Sequence, residues 1–236
     1  MTRLEALTPA VMARLDELVA TLVERCGANL VALVCHGSAA RGGWRDGASD
    51  VDLVLVLADD AEPALEAIGP ALELARFSAR IETMILVAHE IARSADCFPL
   101  LYADIARVGV TLAGASPFDR LVVPEHHQRL RIEQELRELR IRMRRVVTDM
   151  AGHASFGGAI ERKIKQARAP LWALLALRGE TVEDSVEAIL RAAGKAYGID
   201  VAPLGRVRDD AKHAFQTLAR LLDAALADVD RREDRA

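Results

Sequence analysis

Segments suited to β-strands lie only in the first half of this chain. Each is a short run dominated by valine, leucine and isoleucine, bounded by turn-forming residues or by a stretch with helical spacing. The four runs are NLVALVC, VDLVLVL, ARIETMILVA and VTLAG, at residues 29–35, 51–57, 79–88 and 110–114. Helical patterns separate them, which predicts a small sheet with flanking helices and a mixed α/β fold for this half.

The second half carries helical patterns only. They cover residues 124–152, 158–180, 181–198 and 204–229. Thr181, followed three residues later by Asp184, is typical of a capping box and predicts the start of the third helix. Four helices in sequence favour an up-and-down four-helix bundle. The whole chain is therefore expected to be an α+β protein, with a small sheet domain followed by a helical bundle.

Charge divides the chain at nearly the same place. Residues 1–118 contain 9 arginines, no lysine and 16 acids, a net of −7. Residues 119–236 hold 22 basic residues against 19 acids, a net of +3. A shift of this kind indicates a domain boundary. We therefore expect a first domain over residues 1–118 and a helical domain over residues 119–236.

Composition disfavours several classes of protein. The formal net charge of −4 argues against a dedicated nucleic-acid binder. No apolar run approaches the roughly 20 residues that span a membrane, and charged residues interrupt the N-terminal segment where a signal peptide would be apolar. The 3 cysteines have no close pairing, so reduced thiols and a cytoplasmic location are expected. The sequence leaves open whether the chain forms a homodimer.

Two carboxylates, Asp50 and Asp52, introduce the second apolar run. Residues two apart on a strand point to the same face, which puts these carboxylates about 6–7 Å apart. Like charges at that distance repel unless a cation lies between them. Magnesium is the expected occupant, because it prefers oxygen ligands and is usually held by one or two carboxylates together with substrate phosphates.

Upstream of the carboxylates, Gly37 and Ser38 stand where the first strand gives way to a helical turn. Backbone N–H groups and a hydroxyl at such a turn are suited to binding an anion. An anion site beside a magnesium site predicts a nucleoside triphosphate as the ligand.

The stretch HGSAARGGWRDGASDVDLVLVL, residues 36–57, resembles the signature of the DNA polymerase β-like nucleotidyltransferase superfamily. That signature is a Gly-Ser or Gly-Gly followed at a distance by an Asp-hydrophobic-Asp on a strand. The bacterial minimal and aminoglycoside-type nucleotidyltransferases are the most similar, with their Ala-Arg-Gly and Ser-Asp-x-Asp-Leu motifs. The resemblance extends over residues 28–115, and the helical half resembles the substrate-binding bundle of that family in general terms.

The resemblance also implies a third carboxylate on a neighbouring strand. Glu82 is the candidate, because it lies within the otherwise apolar run ARIETMIL, where an unpaired buried carboxylate would be costly. Its expected role is to complete the metal site or to act as general base towards the acceptor. The alternative is an acid on a solvated strand face, and the rival bases are Glu125 and Glu161 of the helical half.

The expected site therefore combines three sets of residues. The resemblance implies a catalytic set that also binds two magnesium ions, namely Asp50, Asp52 and Glu82. The nucleotide-binding set that it implies in the first half is Gly37, Ser38, Arg41 and Ser49. In the helical half, the cations expected to neutralise the triphosphate are Lys163 and Lys165.

The function implied is transfer of a nucleoside monophosphate, AMP from ATP, to an acceptor hydroxyl in a cleft between the two domains. A small acceptor such as an aminoglycoside-like antibiotic is expected, and the acidic first domain suits a cationic one. One alternative is antitoxin-type AMP transfer to a partner protein or RNA. Another is a non-catalytic nucleotide-binding or HEPN-type regulatory module, for which Arg208 and His213 give a loose Arg-x4-His pattern.

Overall fold

Four strands form one sheet within residues 4–233, the part of the chain that this computed structural model describes. Their bounds are β1 Leu30–His36, β2 Val51–Leu57, β3 Ile81–Val87 and β4 Val110–Gly114. The strand order is β3-β2-β1-β4. β1 is antiparallel to both β2 and β4, whereas β2 is parallel to β3. A parallel pair needs a crossover connection, and the helix between β2 and β3 supplies it.

The helices beside the sheet have ends that their sequences explain. The hydroxyl of Thr8 accepts a hydrogen bond from the N–H of Val11, Pro9 is the first helical residue, and Gly27 ends the helix with a positive φ. In chain order these helices are α1 Pro9–Cys26, α2 Gly37–Ala40, α3 Glu62–Ala79, α4 Ala88–Ile91 and α5 Pro99–Val108.

The two faces of the sheet are covered by different helices. On one face, Val51, Leu53 and Leu55 of β2 belong to a core shared with α1 and α3. On the other face, Val54 and Val56 pack with residues of α4 and α5. Because side chains alternate along a strand, Asp52 must belong to the second face, together with Val54 and Val56.

Chain contacts divide the structure between Val123 and Pro124 into a sheet unit and a helical unit. The α+β class and the order of sheet region and helical region are confirmed. The predicted domain limits, 1–118 and 119–236, stay predictions. Phe118 is fully buried in the sheet unit, edge-on against Tyr102 with 5.3 Å between ring centroids.

The helical unit contains four long helices within the described residues. They are α6 Glu125–Met150, α7 Phe156–Leu177, α8 Val186–Tyr197 and α9 Ala211–Glu233. Arg137 of α6 pairs with Asp230 of α9, and Arg140 pairs with Asp223. Residue numbers rise along one helix as they fall along the other, so α6 and α9 are antiparallel.

α8 departs from the strict alternation of an up-and-down bundle. Asp184, just before the start of α8, forms an ion pair with Arg168 in the middle of α7. Tyr197 at the C-terminal end of α8 lies under the guanidinium of Arg178, just beyond the end of α7, with 5.4 Å to the ring centroid. α8 therefore runs towards the same end as α7, because the segment between them first turns back along α7.

The start of α8 also corrects one sequence prediction. Thr181 does not cap this helix. Ser185 is the N-cap, its hydroxyl accepts a hydrogen bond from the N–H of Ala188, and the helix begins at Val186. The Asp184 carboxylate is held by Arg168 instead, so a tertiary ion pair has replaced the predicted capping box.

Within residues 4–233, none of the helices combines the length and the apolar character needed to cross a membrane.

Candidate active site

Three polar side chains form a row across the sheet. In the strand register, His36 of β1 is paired with Asp52 of β2, and Asp52 is paired with Glu82 of β3. Paired residues on adjacent strands present their side chains on the same face. Glu82 is exposed, while Asp52 and His36 are half-buried. The row thus runs from solvent at Glu82 towards the interior of the sheet.

Asp50 lies just before β2 and is engaged by an arginine. The Nε of Arg80 donates to Oδ1 of Asp50 at 2.8 Å. Val51 is paired with Ile81 at the start of β2 and β3. Asp50 and Arg80 directly precede these residues, so their ion pair continues the same register by one residue pair. The two side chains are 52% and 43% exposed, and this keeps the pair accessible to solvent and ions.

The Asp52 carboxyl lies in an unfavourable place for a negative charge. Burial raises its pKa above the ordinary value, and the charge of Asp50 raises it further. The Arg41 guanidinium lowers this pKa in part, and Glu82 raises it again. Asp50 and Glu82 are therefore close enough to raise the pKa of Asp52, and Arg41 offsets this only in part.

The glycine turn and the carboxylate strand are in direct contact. Gly37 has a φ of +67°, and a Cβ built there would lie 2.2 Å from Oδ2 of Asp52. Glycine is needed at this position for both reasons, since the left-handed φ disfavours a side chain and the space is filled by the carboxylate. Ser38 is the next residue of the same short helix and is half-buried. Two motifs that are well separated in sequence thus form one site.

Arg41 and Ser49, both expected to bind nucleotide, are already engaged in the fold. Arg41 donates to Oδ2 of Asp104 on α5 at 2.7 Å, and both side chains are largely buried. The hydroxyl of Ser49 accepts a hydrogen bond from the N–H of Arg45 at 3.2 Å and closes the turn before Asp50. Arg41 acts on the site as a nearby charge, and Ser49 fixes the loop that leads to the carboxylates.

His36 was not among the predicted site residues, although it directly precedes Gly37. Burial lowers the pKa of its imidazole, Asp104 raises it, and Arg41 lowers it. The net lowering favours the neutral ring beside Asp52. Its place beside Asp52 follows from the pairing of β1 with β2, which the sequence pattern did not specify.

Lys163 and Lys165 lie on α7 in the helical unit, in different surroundings. Lys165 is paired with Glu161 at 3.0 Å. Lys163 donates to the side-chain oxygen of Gln166, and its pKa is lowered by burial and by the like charges of two arginines. Those arginines are Arg142 and Arg162. Of the two rival bases, Glu161 is thus engaged by a lysine, and Glu125 is the exposed first residue of α6.

Arg208 and His213 each line a cavity in the helical unit. Arg208 lines one of about 730 Å³ at the start of α7, together with His153 and Glu161. His213 lines a separate one of about 370 Å³ beside the segment that precedes α9.

The donor set suits a magnesium ion that shares its ligands with a substrate. No cluster of three or more His, Cys, Asp or Glu side chains placed to hold a metal ion is present among residues 4–233. Asp52 and Glu82 are register neighbours, while Asp50 is turned towards Arg80. Magnesium commonly binds one or two carboxylates and takes its other ligands from phosphates and water, so these residues fit it without a preformed cage.

Comparison with known proteins agrees with this arrangement. Residues 15–94, about a third of the chain, match the family model described as a nucleotidyltransferase domain. The matched segment runs from α1 to the region after α4 and contains the glycine turn and all three carboxylates. Residues 15–94 therefore carry a nucleotidyltransferase domain. The resemblance to the polymerase β-like nucleotidyltransferase superfamily is thereby confirmed, and the sheet unit carries its nucleotidyltransferase domain.

One solved structure with a similar chain course is that of the spectinomycin adenyltransferase AAD(9) from Enterococcus faecialis with ATP and spectinomycin. The identity is 14%, and the alignment covers 90% of this chain and 99% of the other, with a TM-score of 0.47. No curated protein matches the chain.

Proposed function

We propose that this nucleotidyltransferase transfers AMP from ATP to a hydroxyl group of a small acceptor and releases pyrophosphate. One observation carries the proposal: Asp52 and Glu82 are register neighbours, and the Gly37 turn lies against the Asp52 carboxylate. A carboxylate row that meets a glycine turn suits magnesium on one side and phosphates on the other.

Different residues are proposed to bind the phosphates and the magnesium ions. The turn at Gly37 and Ser38 would receive the phosphates, and Asp50 and Asp52 would hold magnesium, two ions by analogy with the family, with Glu82 beside them. Magnesium bound there would offset the charge of the phosphates and carboxylates and polarise the reacting oxygens.

Glu82 is the proposed general base. It takes the proton from the acceptor hydroxyl while the acceptor oxygen bonds to the α-phosphorus and the bond from that phosphorus to the pyrophosphate oxygen breaks. Its exposure supports this role, because an acceptor can reach it, whereas Asp52 is half-buried behind it.

The helical unit is proposed to bind the acceptor, with the nucleotidyltransferase domain over residues 1–118 and the acceptor-binding domain over 119–236. Lys163 is the better candidate for a phosphate contact, because Lys165 is already paired with Glu161. Lys163 also lies among arginines whose like charges favour an anion. The net charge of −7 in residues 1–118 supports a cationic acceptor such as an aminoglycoside-like compound.

The cellular location proposed is the cytoplasm. Cys26, Cys35 and Cys97 are all free thiols. Free thiols at buried and exposed positions alike suit a reducing compartment.

A labelling experiment tests the proposal. The chain is incubated with α-labelled ATP and magnesium, alone, with a panel of aminoglycoside-type acceptors, and with cell extract as a source of protein or RNA acceptors. The label is expected on a small acceptor and not on macromolecules. Label on protein or RNA would favour the antitoxin-type reaction, and ATP binding without any transfer in every arm would favour a regulatory module.

A further inference from the structure

Arg80 makes hydrogen bonds through both its backbone and its side chain at the junction of α3 and β3. Its own N–H donates to the carbonyl of Arg76, and its carbonyl accepts from the N–H of Val51 at 3.0 Å. Its guanidinium donates through Nε to Asp50 and through Nη1 to the carbonyl of Gly47 at 3.1 Å. One residue thus fastens the loop that carries Asp50 to the end of α3.

The backbone of Arg80 adopts a conformation that arginine rarely takes. Its φ is +53° and its ψ is 41°, and among residues 4–233 it is the only residue other than glycine with a positive φ. A left-handed conformation at a non-glycine residue is unfavourable unless the surrounding structure requires it. Here it ends α3 and points the guanidinium towards the carboxylate loop.

The guanidinium lies where a cation is otherwise expected. Asp50 is one of the carboxylates assigned to magnesium, and its Oδ1 is occupied by Arg80. Arg80 is in direct contact with Asp50, whereas Arg41 is paired with Asp104. A half-exposed ion pair is weak and is easily exchanged for another cation.

We propose that Arg80 competes with the divalent cation for Asp50 and so sets how much metal the site requires. This inference rests on the proposed function, since it assumes that Asp50 is a metal ligand. In the metal-free protein Arg80 compensates the charge of Asp50 and holds its loop in place. On metal binding, Asp50 leaves the guanidinium, which stays attached to the loop through Gly47.

The test measures binding of Mn²⁺ to the full-length protein by electron paramagnetic resonance, without ATP or acceptor. Arg80→Asn removes the charge and keeps a residue that tolerates the left-handed conformation. It is expected to bind Mn²⁺ about two- to fivefold more tightly than the wild type, the range set by a half-exposed ion pair. Thermal melting checks that the variant is folded.

Two controls separate competition from general electrostatics. Arg76→Asn removes the same charge one turn earlier on α3 and is expected to change Mn²⁺ binding by less than Arg80→Asn does. In an Asp50→Asn background, Arg80→Asn is expected to have no effect, because the competition needs the carboxylate.

Unchanged or weaker Mn²⁺ binding by Arg80→Asn, with clear binding by the wild type, would overturn this inference and leave the proposed function intact. Weaker binding would mean that Arg80 orients Asp50 for the metal. If neither protein bound Mn²⁺, this inference would be overturned, whereas the proposed function, in which substrate phosphates supply metal ligands, would still be decided by the labelling experiment.

Discussion

Asp52 of the sheet unit and Asp228 of the helical unit are both withdrawn from solvent, yet their pKa values move in opposite directions. The pKa of Asp52 is raised and that of Asp228 is lowered. Asp228 is the more buried of the two, with 7% of its surface exposed. Burial alone raises the pKa of a carboxyl group, so the difference must lie in the neighbours.

Asp228 is surrounded by donors. Burial raises its pKa, but hydrogen bonds from Arg178 at 2.8 Å and from the hydroxyl of Tyr197 at 3.0 Å lower it further than burial raises it. Arg232 adds a second positive charge. These contacts join the C-terminal ends of three helices, α7, α8 and α9. The protein itself compensates this charge, as expected of a carboxylate that holds a fold together.

Asp52 has other carboxylates as neighbours, and Arg41, whose charge lowers its pKa in part, is bound to Asp104. The charge left uncompensated suits a cation supplied from outside the chain. Both a structural and a functional carboxylate can be buried. What distinguishes Asp228 from Asp52 is that its neighbours lower its pKa below the ordinary value, whereas those of Asp52 do not.

The largest effect is expected from Asp52→Asn. Transfer should be abolished, because the central carboxylate of the row is lost. Thermal stability should hold or rise, because the substitution removes a charge that burial, Asp50 and Glu82 all disfavour. Product formation and the melting temperature are measured on the same preparation. Near-wild-type turnover would show that Asp52 is not a metal ligand. A large loss of stability would show that Asp52, like Asp228, stabilises the fold.

Glu82→Gln keeps the shape of the side chain and removes its charge. We expect the transfer rate to fall at least about a hundredfold, the low end of what a positioned proton acceptor contributes. Binding of magnesium and ATP, followed by calorimetry, should largely remain. Glu66→Gln on the exposed side of α3 is the matched control and should leave the rate unchanged. A Glu82→Gln enzyme with full activity would promote Glu125 or Glu161 as the base.

Asp228→Asn is expected to act on stability and to spare catalysis. Breaking the contacts to Arg178 and Tyr197 should cost about 3 kcal/mol, the low end for a broken buried pair, because Arg178 keeps its contact with Glu180. The free energy of unfolding is measured by denaturant titration. Asp223→Asn, which removes a half-exposed partner of Arg140, should cost less than about 1 kcal/mol.

The pH dependence of stability supplies the control for Asp228. Since its folded pKa lies below the ordinary value of 3.8, its contribution is complete above that value and is lost as the pH falls through the lower folded pKa. The Asn variant should therefore lose stability less steeply than the wild type on acidification. Equal slopes for the two proteins would mean that the Asp228 charge is not held by its neighbours.

Ser38→Ala is expected to reduce transfer less than Asp52→Asn does. Loss of one hydrogen bond to a charged phosphate should weaken the use of ATP by about 1.5–3 kcal/mol, with thermal stability unchanged. Steady-state kinetics with varied ATP measures it. An ATP-analogue complex with the triphosphate bound far from this turn would refute the assignment.

Local patterns predicted much of the sheet unit. The period of apolar residues located all four strands, and β4 at Val110–Gly114 coincides with its predicted run. Asp50, Asp52 and Gly37 became candidates for the site because their residue types recur at short spacings in the sequence. Glu82 was found because an acid inside an apolar run is unusual, and the resemblance to a known superfamily gave it a role.

Local sequence patterns therefore predicted the strands, the long helices and the candidate site residues, because periodicity and turn preferences act over a few neighbouring residues. The folded structure was needed to show that His36 and Glu82 flank Asp52, that Arg80 binds Asp50, and that Arg168 holds Asp184 before α8. Those facts depend on strand register and on ion pairs between distant segments. These contacts join residues that are far apart in the sequence, so a pattern of neighbouring residues does not predict them.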